Sequence, residues 1–402
     1  MAKKILIFSL AYYPKNVSGA EIAIREITDR ISSSDITFHL ITHRFYPEHL
    51  SIEQIGNVTV YRVGSSAEAW LSRKFPLLLV LTKILFTVRA AWCARTLHKT
   101  EHYDALWAMM TYMLLPIVIA RSWGMRIPYA LTLQDGDPYE KVFGRLHMRP
   151  FITLIDRGFR EATIVQVISH FLGTWPAQRG YTGAVELIYN GADPGDVDQT
   201  STAEEIANLA EKLGKKQGDI FLVNTARVEY QKAFDVVVRA LAILPVHFKL
   251  LIVGSGSEDA NIRALASSLG VSDRMIFIAQ VTREEVTLYR RVSDIFVAPS
   301  RSEGLGNAFL SAMASRLPVV ATQEGGLAEF VFDRAHNPNE IPTAWVVPKD
   351  DPKAVADAVL DIISHPDEVA TITNHAREMV LARFDWKMIV EDMRTKVFAR
   401  LF

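Results

Sequence analysis

At 402 residues the chain is long enough for two or three domains, and 49% apolar against 22% charged residues is the balance of a globular protein with sizeable cores. A net charge of −1 excludes the overall basic excess of a nucleic-acid binder. The single cysteine, Cys93, excludes an internal disulfide and fits a reducing, cytoplasmic setting.

The opening MAKKILIFSLAYYPK is too short an apolar run for a signal peptide, lacks a small-residue cleavage site, and reads as a first strand. Ser18–Gly19 follows in YYPKNVSGAEIA, at the start of a helix expected over Ala20–Ser32. ITFHLITH, VTVYRV, DALWAMM, PYALTLQD and TIVQVIS continue the strand series through the first half. This half carries 21 Lys and Arg against 15 Asp and Glu over residues 1–190, a charge of +6, whereas the remainder has 23 against 30, a charge of −7. Much of the excess is local. No acid occurs between Glu68 and Glu101, while Arg73, Lys74, Lys83, Arg89, Arg95 and Lys99 flank the apolar FPLLLVLTKILFTVRAAW. Charge interrupts that run too often for a membrane span, and a basic, apolar helix of this kind suits the surface of an anionic membrane.

NGADPGDVDQTSTAEE, from Asn190, is polar and turn-rich and marks a domain boundary. Beyond it DIFLVNTAR, FKLLIVGSG, RMIFIAQ, DIFVAPS and LPVVATQ are strands, separated by helices expected over Asp235–Leu244, Glu258–Leu269 and Arg283–Arg291. Strands alternating with helices predict an α/β protein: two Rossmann-like, doubly wound parallel-sheet domains, facing each other across a cleft at the carboxyl ends of their strands. The first spans 1–190 and the second 191–384, with one amphipathic helix over about 385–402, FDWKMIVEDMRTKVFARLF, packing back on the first.

The strand-end loops of the second half carry the chemistry. They hold Arg227 and Lys232 in TARVEYQKAF, Gly254–Ser255–Gly256, Glu303–Gly304–Leu305–Gly306, and Glu324–Gly325–Gly326. Helix N-termini beside glycines offer free N–H groups and partial positive charge, which suit phosphate, and two cations on one loop suit a diphosphate. A carboxylate at Glu303 is repelled by that anion but accepts hydrogen bonds from neighbouring hydroxyls, as on a sugar. Together they describe a nucleotide sugar.

ARVEYQKAFDVVVRAL, LLIVGSGSE and VSDIFVAPSRSEGLGNAFLSAMASRLPVVATQEGGLAEFV resemble the carboxyl-terminal domain of family 4 glycosyltransferases, retaining, metal-independent enzymes of the GT-B fold. YNGAD at 189–193 and SGAE at 18–21 resemble the family's domain junction and amino-terminal glycine loop. The likeness is strongest between Ile220 and Phe330 and weak between about 40 and 125, where an acceptor would bind. It implies that Arg227 and Lys232 hold the donor diphosphate, that Glu303 contacts the sugar, and that Gly304 and the amides of Leu305, Gly306 and Asn307 bind sugar hydroxyls or phosphates. It further implies that Gly19, Gly254, Gly256 and Gly325 permit close approach to the donor, and that the base lies near Ile278. Two positions depart from the pattern. Ser311 stands where the family usually has a second glutamate for the ribose, and Gln134, before Asp135, stands where it often has a histidine.

The reading is a hexosyltransferase that uses a UDP- or GDP-sugar, with no cofactor and no metal, on a lipid-linked or polysaccharide acceptor in surface glycan assembly. Its catalytic candidates are Arg227, Lys232, Glu303, Gln134 and Asp135. It works in the cytoplasm, peripherally on an anionic membrane, and binds no nucleic acid. The alternatives are a non-catalytic nucleotide-sugar-binding subunit and a nucleotide-sugar epimerase of the same fold. The Asp135–Gly136–Asp137 pair lacks the supporting histidines of a metal site. His98, His147, His170, Trp70, Trp92 and Trp107 read as structural.

Overall fold

The computed structural model describes residues 2–15, 17–67, 76–279 and 281–402; Trp70, Arg73 and Lys74 lie outside these. The chain divides into two compact units, Met1–Asn190 with Trp386–Phe402, and Gly191–Asp385.

In the first unit the strands are β1 (Lys3–Phe8), β2 (Ile36–His43), β3 (Ile52–Ile55), β4 (Val58–Val63), β5 (Ala105–Met109), β6 (Tyr129–Leu133), β7 (Ile164–Val167) and β8 (Val185–Leu187). They form one sheet in the order β3-β4-β2-β1-β5-β6-β7-β8. Ile5 of β1 sits opposite Phe38 of β2 and Ala105 of β5, so three apolar runs stack in register. The central strands are buried along their whole length, which is why they read as continuous apolar runs instead of alternating ones. The expected parallel sheet has one exception: β3 pairs antiparallel with β4. Its IEQI sets two polar residues between two isoleucines on a half-exposed edge, without alternation and too short to register as a strand. β8 escaped notice for the same reason.

The carboxyl-terminal stretch joins the core of this unit through Trp386, Ile389, Val390, Met393, Val397, Phe398 and Leu401, with the Phe398 ring 5.1 Å from Trp107 and 5.9 Å from Phe38. It is not the single regular helix expected. An α-helix over Trp386–Asp392 passes into a π-helix over Met393–Val397 and then a 3-10 turn over Phe398–Leu401. The slower winding of the π turn brings Phe398, which a regular helix would carry away from the sheet, back to the buried face.

The second unit contains β9 (Ile220–Asn224), β10 (Phe248–Val253), β11 (Met275–Ile278), β12 (Ile295–Ala298), β13 (Val319–Ala321) and β14 (Trp345–Val346). Their order is β11-β10-β9-β12-β13-β14, and every pair is parallel. Because β10 and β12 leave β9 in opposite directions, the strand order reverses at β9. Open α/β sheets bind ligands at the carboxyl ends flanking such a reversal. In the first unit β1 is the equivalent strand, between β2 and β5.

Candidate functional site

The loop after β9 and the loop after β10 stack on one another. The Val228 N–H donates to the Ser255 carbonyl at 3.2 Å, and the Gly254 N–H donates to the Ile278 carbonyl at the end of β11 at 2.8 Å. A Cβ on Gly254 would overlap the Ala226 carbonyl oxygen, and one on Gly256 would overlap that of Val228. Gly254 also has φ +141°, which disfavours any side chain. These glycines, expected to serve the donor, are required first by the packing of two loops. Ile278 is half-buried beside them.

The same correction holds for the pair after β13. A Cβ on Gly325, at φ +66°, would overlap the Glu303 carbonyl oxygen, and one on Gly326 would overlap that of Gly304. The Gly326 N–H donates to the Glu303 carbonyl at 2.9 Å. Glu303 is thereby gripped by its main chain, and its side chain is buried at 6% exposure. One carboxylate oxygen accepts from Lys232 Nζ at 2.7 Å and from the Ser300 hydroxyl at 2.9 Å, while Thr322 Oγ1 donates to the Ser300 carbonyl at 2.6 Å. The two residues singled out from separate loops therefore meet as an ion pair. Lys232 spends one of its three N–H donors on Glu303, leaving two for an anion.

Arg301 was not singled out, yet it binds these loops together. Its guanidinium donates twice to Asp235, at 2.9 and 2.8 Å, once to Asp350 at 2.6 Å, and once to the Tyr230 carbonyl at 2.7 Å. Its main-chain N–H also donates to the Gln231 carbonyl at 2.7 Å. The two carboxylates outweigh burial and hold it firmly charged. Its partners lie far away in sequence, so no local spacing announces the role. Lys232 is followed by Ala233, fully buried and left-handed at φ +54°, at the start of the helix Phe234–Ile243.

The loops that carry this pair also carry free donors. Among the described residues the N–H groups of Leu305, Gly306 and Asn307 have no hydrogen-bond partner, and they open the helix Asn307–Ala314, whose cap Gly306 has φ +104°. Arg227 is exposed, and its guanidinium makes no hydrogen bond or ion pair to any described residue. Ser311, by contrast, is buried, and its hydroxyl oxygen accepts from the Asp193 N–H at 3.0 Å. It clips the chain entering the unit, so its proton and one lone pair remain for a ribose. That entering segment, expected to be a polar boundary, is anchored: Asp196 is fully buried and paired with Arg290.

In the first unit, Gly19 begins the helix Gly19–Arg30, capped by Ser18, whose N–H donates to Glu21 at 2.9 Å. Gln134 spends part of its amide within the unit, keeping one N–H and one lone pair. Its amide pairs reciprocally with Asn190, at 3.2 and 3.0 Å. Asp135, after β6, is 2% exposed, and its carboxylate is met by the Thr111 hydroxyl at 3.1 Å. Burial pushes its carboxyl up to about 6, with Thr111 opposing and Asp137 adding to the rise. The Asp137 carboxylate is held by Lys141 at 2.8 Å and Arg145 at 3.1 Å.

The structure divides the basic apolar segment. In the helix Pro76–Glu101 the exposed apolar residues Leu81, Leu85, Val88 and Trp92 recur at helical spacing and form one solvent-facing stripe. Arg95 and Lys99 are exposed beyond it. Lys83, grouped from sequence with the solvated bases, is half-buried instead, its ammonium 5.8 Å from the Tyr112 ring.

Residues 205–379 match the family model "Glycosyl transferases group 1". The chain is 31% identical over 210 residues to an uncharacterized glycosyltransferase of Methanocaldococcus jannaschii, covering 52% of either chain. It is 28% identical over 246 residues to a GDP-mannose-dependent alpha-(1-6)-phosphatidylinositol monomannoside mannosyltransferase of Mycolicibacterium smegmatis, covering 58% of this chain and 62% of that one. These matches thus span about half to three-fifths of each relative. Among solved structures, Anabaena HepE in complex with UDP-glucose superposes with a TM-score of 0.77 at 19% identity, covering 98% of this chain and 99% of that one. The chain has the GT-B fold, and over residues 205–379 its sequence is similar to that of the group 1 glycosyl transferases.

Proposed function

We propose that the chain is a retaining, metal-independent hexosyltransferase that moves a sugar from a UDP- or GDP-sugar to a hydroxyl of a lipid-linked or polysaccharide acceptor in surface glycan assembly. The observation that carries this reading is the Lys232–Glu303 pair, 2.7 Å apart, which joins the loop bearing the exposed Arg227 to the loop bearing the free N–H groups of Leu305–Asn307. Cations and amides on one side fit a diphosphate, and a buried carboxylate fits the hydroxyls of the sugar joined to it. GDP-mannose and UDP-glucose in the names of a relative and a structural neighbour support a nucleotide-sugar donor.

In this mechanism the acceptor hydroxyl attacks the face that the diphosphate leaves, through an oxocarbenium-like sugar with no protein nucleophile. The C1–O bond to phosphate breaks, the bond to the acceptor oxygen forms, and the departing phosphate takes the acceptor's proton. Lys232 and Arg227 neutralise the charge that develops on the leaving group, the largest kind of contribution a preorganised site makes. Those two cations do here what a metal would otherwise do. Lys232→Ala should lower turnover about a hundredfold. The assay offers UDP- and GDP-hexoses with lipid-linked acceptors and reads the anomeric configuration of the product by NMR; inversion of that centre, or unchanged turnover in the variant, overturns the mechanism. Donor binding without transfer to any acceptor would instead favour a non-catalytic subunit.

The solvent-facing stripe Leu81–Leu85–Val88–Trp92, with Arg95 and Lys99 beyond it, supports peripheral contact with an anionic bilayer at the cytoplasmic face. No helix among the described residues is long and apolar enough to cross a membrane. The chain should float with phosphatidylglycerol vesicles and be released by a combined Leu85→Glu and Trp92→Glu change; equal flotation of both forms rejects the stripe as the contact.

A further inference from the structure

In the first unit, three residues from separate elements meet at the carboxyl ends of β5 and β6. Lys83 comes from the helix Pro76–Glu101, Tyr112 from the 3-10 turn Thr111–Met113 directly after β5, and Arg145 from the segment following the helix Tyr139–Phe143. The Lys83 ammonium lies 5.8 Å from the Tyr112 ring centroid, and the Arg145 guanidinium lies against the Tyr112 hydroxyl. Among the described residues the Lys83 ammonium makes no hydrogen bond or ion pair, and the charged group that acts on it is another cation, Arg145. Burial and that repulsion lower its proton affinity.

The carboxylates nearby do not relieve this. Asp137 is shared by Lys141 and Arg145, and Asp135 is turned to the Thr111 hydroxyl. An ammonium withdrawn from water without a counter-charge is costly, and here the cost falls beside a strand-end loop, where open α/β sheets take ligands.

We propose that Lys83, Tyr112 and Arg145 form a binding site for a phosphate group carried by the acceptor, with Lys83 and Arg145 as its counter-charges and the Tyr112 hydroxyl as a further donor. This rests on the reading of the chain as a glycosyltransferase for its biological meaning, but the site itself is testable without transfer. The sugar-accepting molecule is then an anion, either a phospholipid-like carrier or a water-soluble phosphate ester.

The test uses the full chain in a Lys232→Ala background, which removes a cation of the second unit's own phosphate site. Lysines are dimethylated with 13C-formaldehyde, and the Lys83 signal is assigned by its loss in Lys83→Met. Inorganic phosphate should shift that signal saturably and raise the pH at which it titrates. Arg145→Met should weaken the response about tenfold, as expected for one charge-assisted contact. Dihexanoyl phosphatidate binding more tightly than phosphate assigns the lipid source, and equal binding the soluble one. A Lys83 signal that moves no more with phosphate than with sodium chloride at equal ionic strength overturns the proposal, as does a shift indifferent to Arg145→Met. A phosphate response together with a wild type that transfers no sugar would keep this site and discard the enzymatic reading, whereas transfer by the wild type without the response would do the reverse.

Discussion

The two strand-end clusters treat charge in opposite ways. In the second unit the cations at the centre of the strand-end cluster have their complements: Lys232 holds Glu303, and Arg301 holds Asp235 and Asp350. The loops that bear them are locked by glycines lying against main-chain carbonyls. In the first unit, Asp135 is buried with only a hydroxyl and an amide for company, and Lys83 faces a second cation. A paired, closely packed site is finished before its ligand arrives. An unpaired one stores a cost that a ligand can relieve. Under the proposed function, the difference separates a rigid donor cradle from an acceptor region completed by its substrate.

That contrast can be broken most severely at the glycines. Gly325→Ala should cost roughly 3 kcal/mol or more of stability, because the new methyl meets the Glu303 carbonyl and the backbone is left-handed there. Denaturant unfolding would measure it, and a loss within the range of a surface substitution would mean that the two loops are not locked.

Asp135 tests the unpaired side. Its folded-state value, about 6, exceeds the ordinary 3.8, so the folded chain holds this proton longer than the unfolded one. The wild type should therefore lose stability as pH rises from about 4 through 6, by about 2–3 kcal/mol in total from this group. Asp135→Asn should remove that dependence and gain on the wild type above pH 6. Parallel pH–stability curves for the two proteins would show instead that the carboxylate is ionised at no cost.

The smallest effect concerns Ala233, left-handed and buried at the end of the lysine loop. Ala233→Gly should relieve about 1 kcal/mol of backbone strain, visible as a small rise in Tm. A fall would mean that the methyl's packing outweighs the strain.

The second unit was far easier to read from sequence than the first, for a physical reason. The strands of both units appear as apolar runs, but the second unit's site residues sit within a few positions of its strand ends. Glu303 and Lys232 could be named because each occupies a loop of restricted geometry. The reason for the glycines was visible only in three dimensions, since their contacts are carbonyls of other loops. Arg301, Asp196 and Arg290 were missed because their partners lie far off along the chain. Lys83 was misplaced for a different reason: a lysine between apolar residues of one helix looks solvated until Tyr112 and Arg145, from two other elements, are brought beside it. The antiparallel β3 and the π turn at Met393–Val397 left no pattern long enough to detect.

Calorimetric titration of the wild type and of Lys232→Ala with UDP-glucose and GDP-mannose tests the donor site most directly. The account predicts saturable binding of a nucleotide sugar by the wild type and an affinity at least about tenfold lower in the variant, the worth of one charge-assisted contact to phosphate. Equal affinities in the two proteins would contradict it.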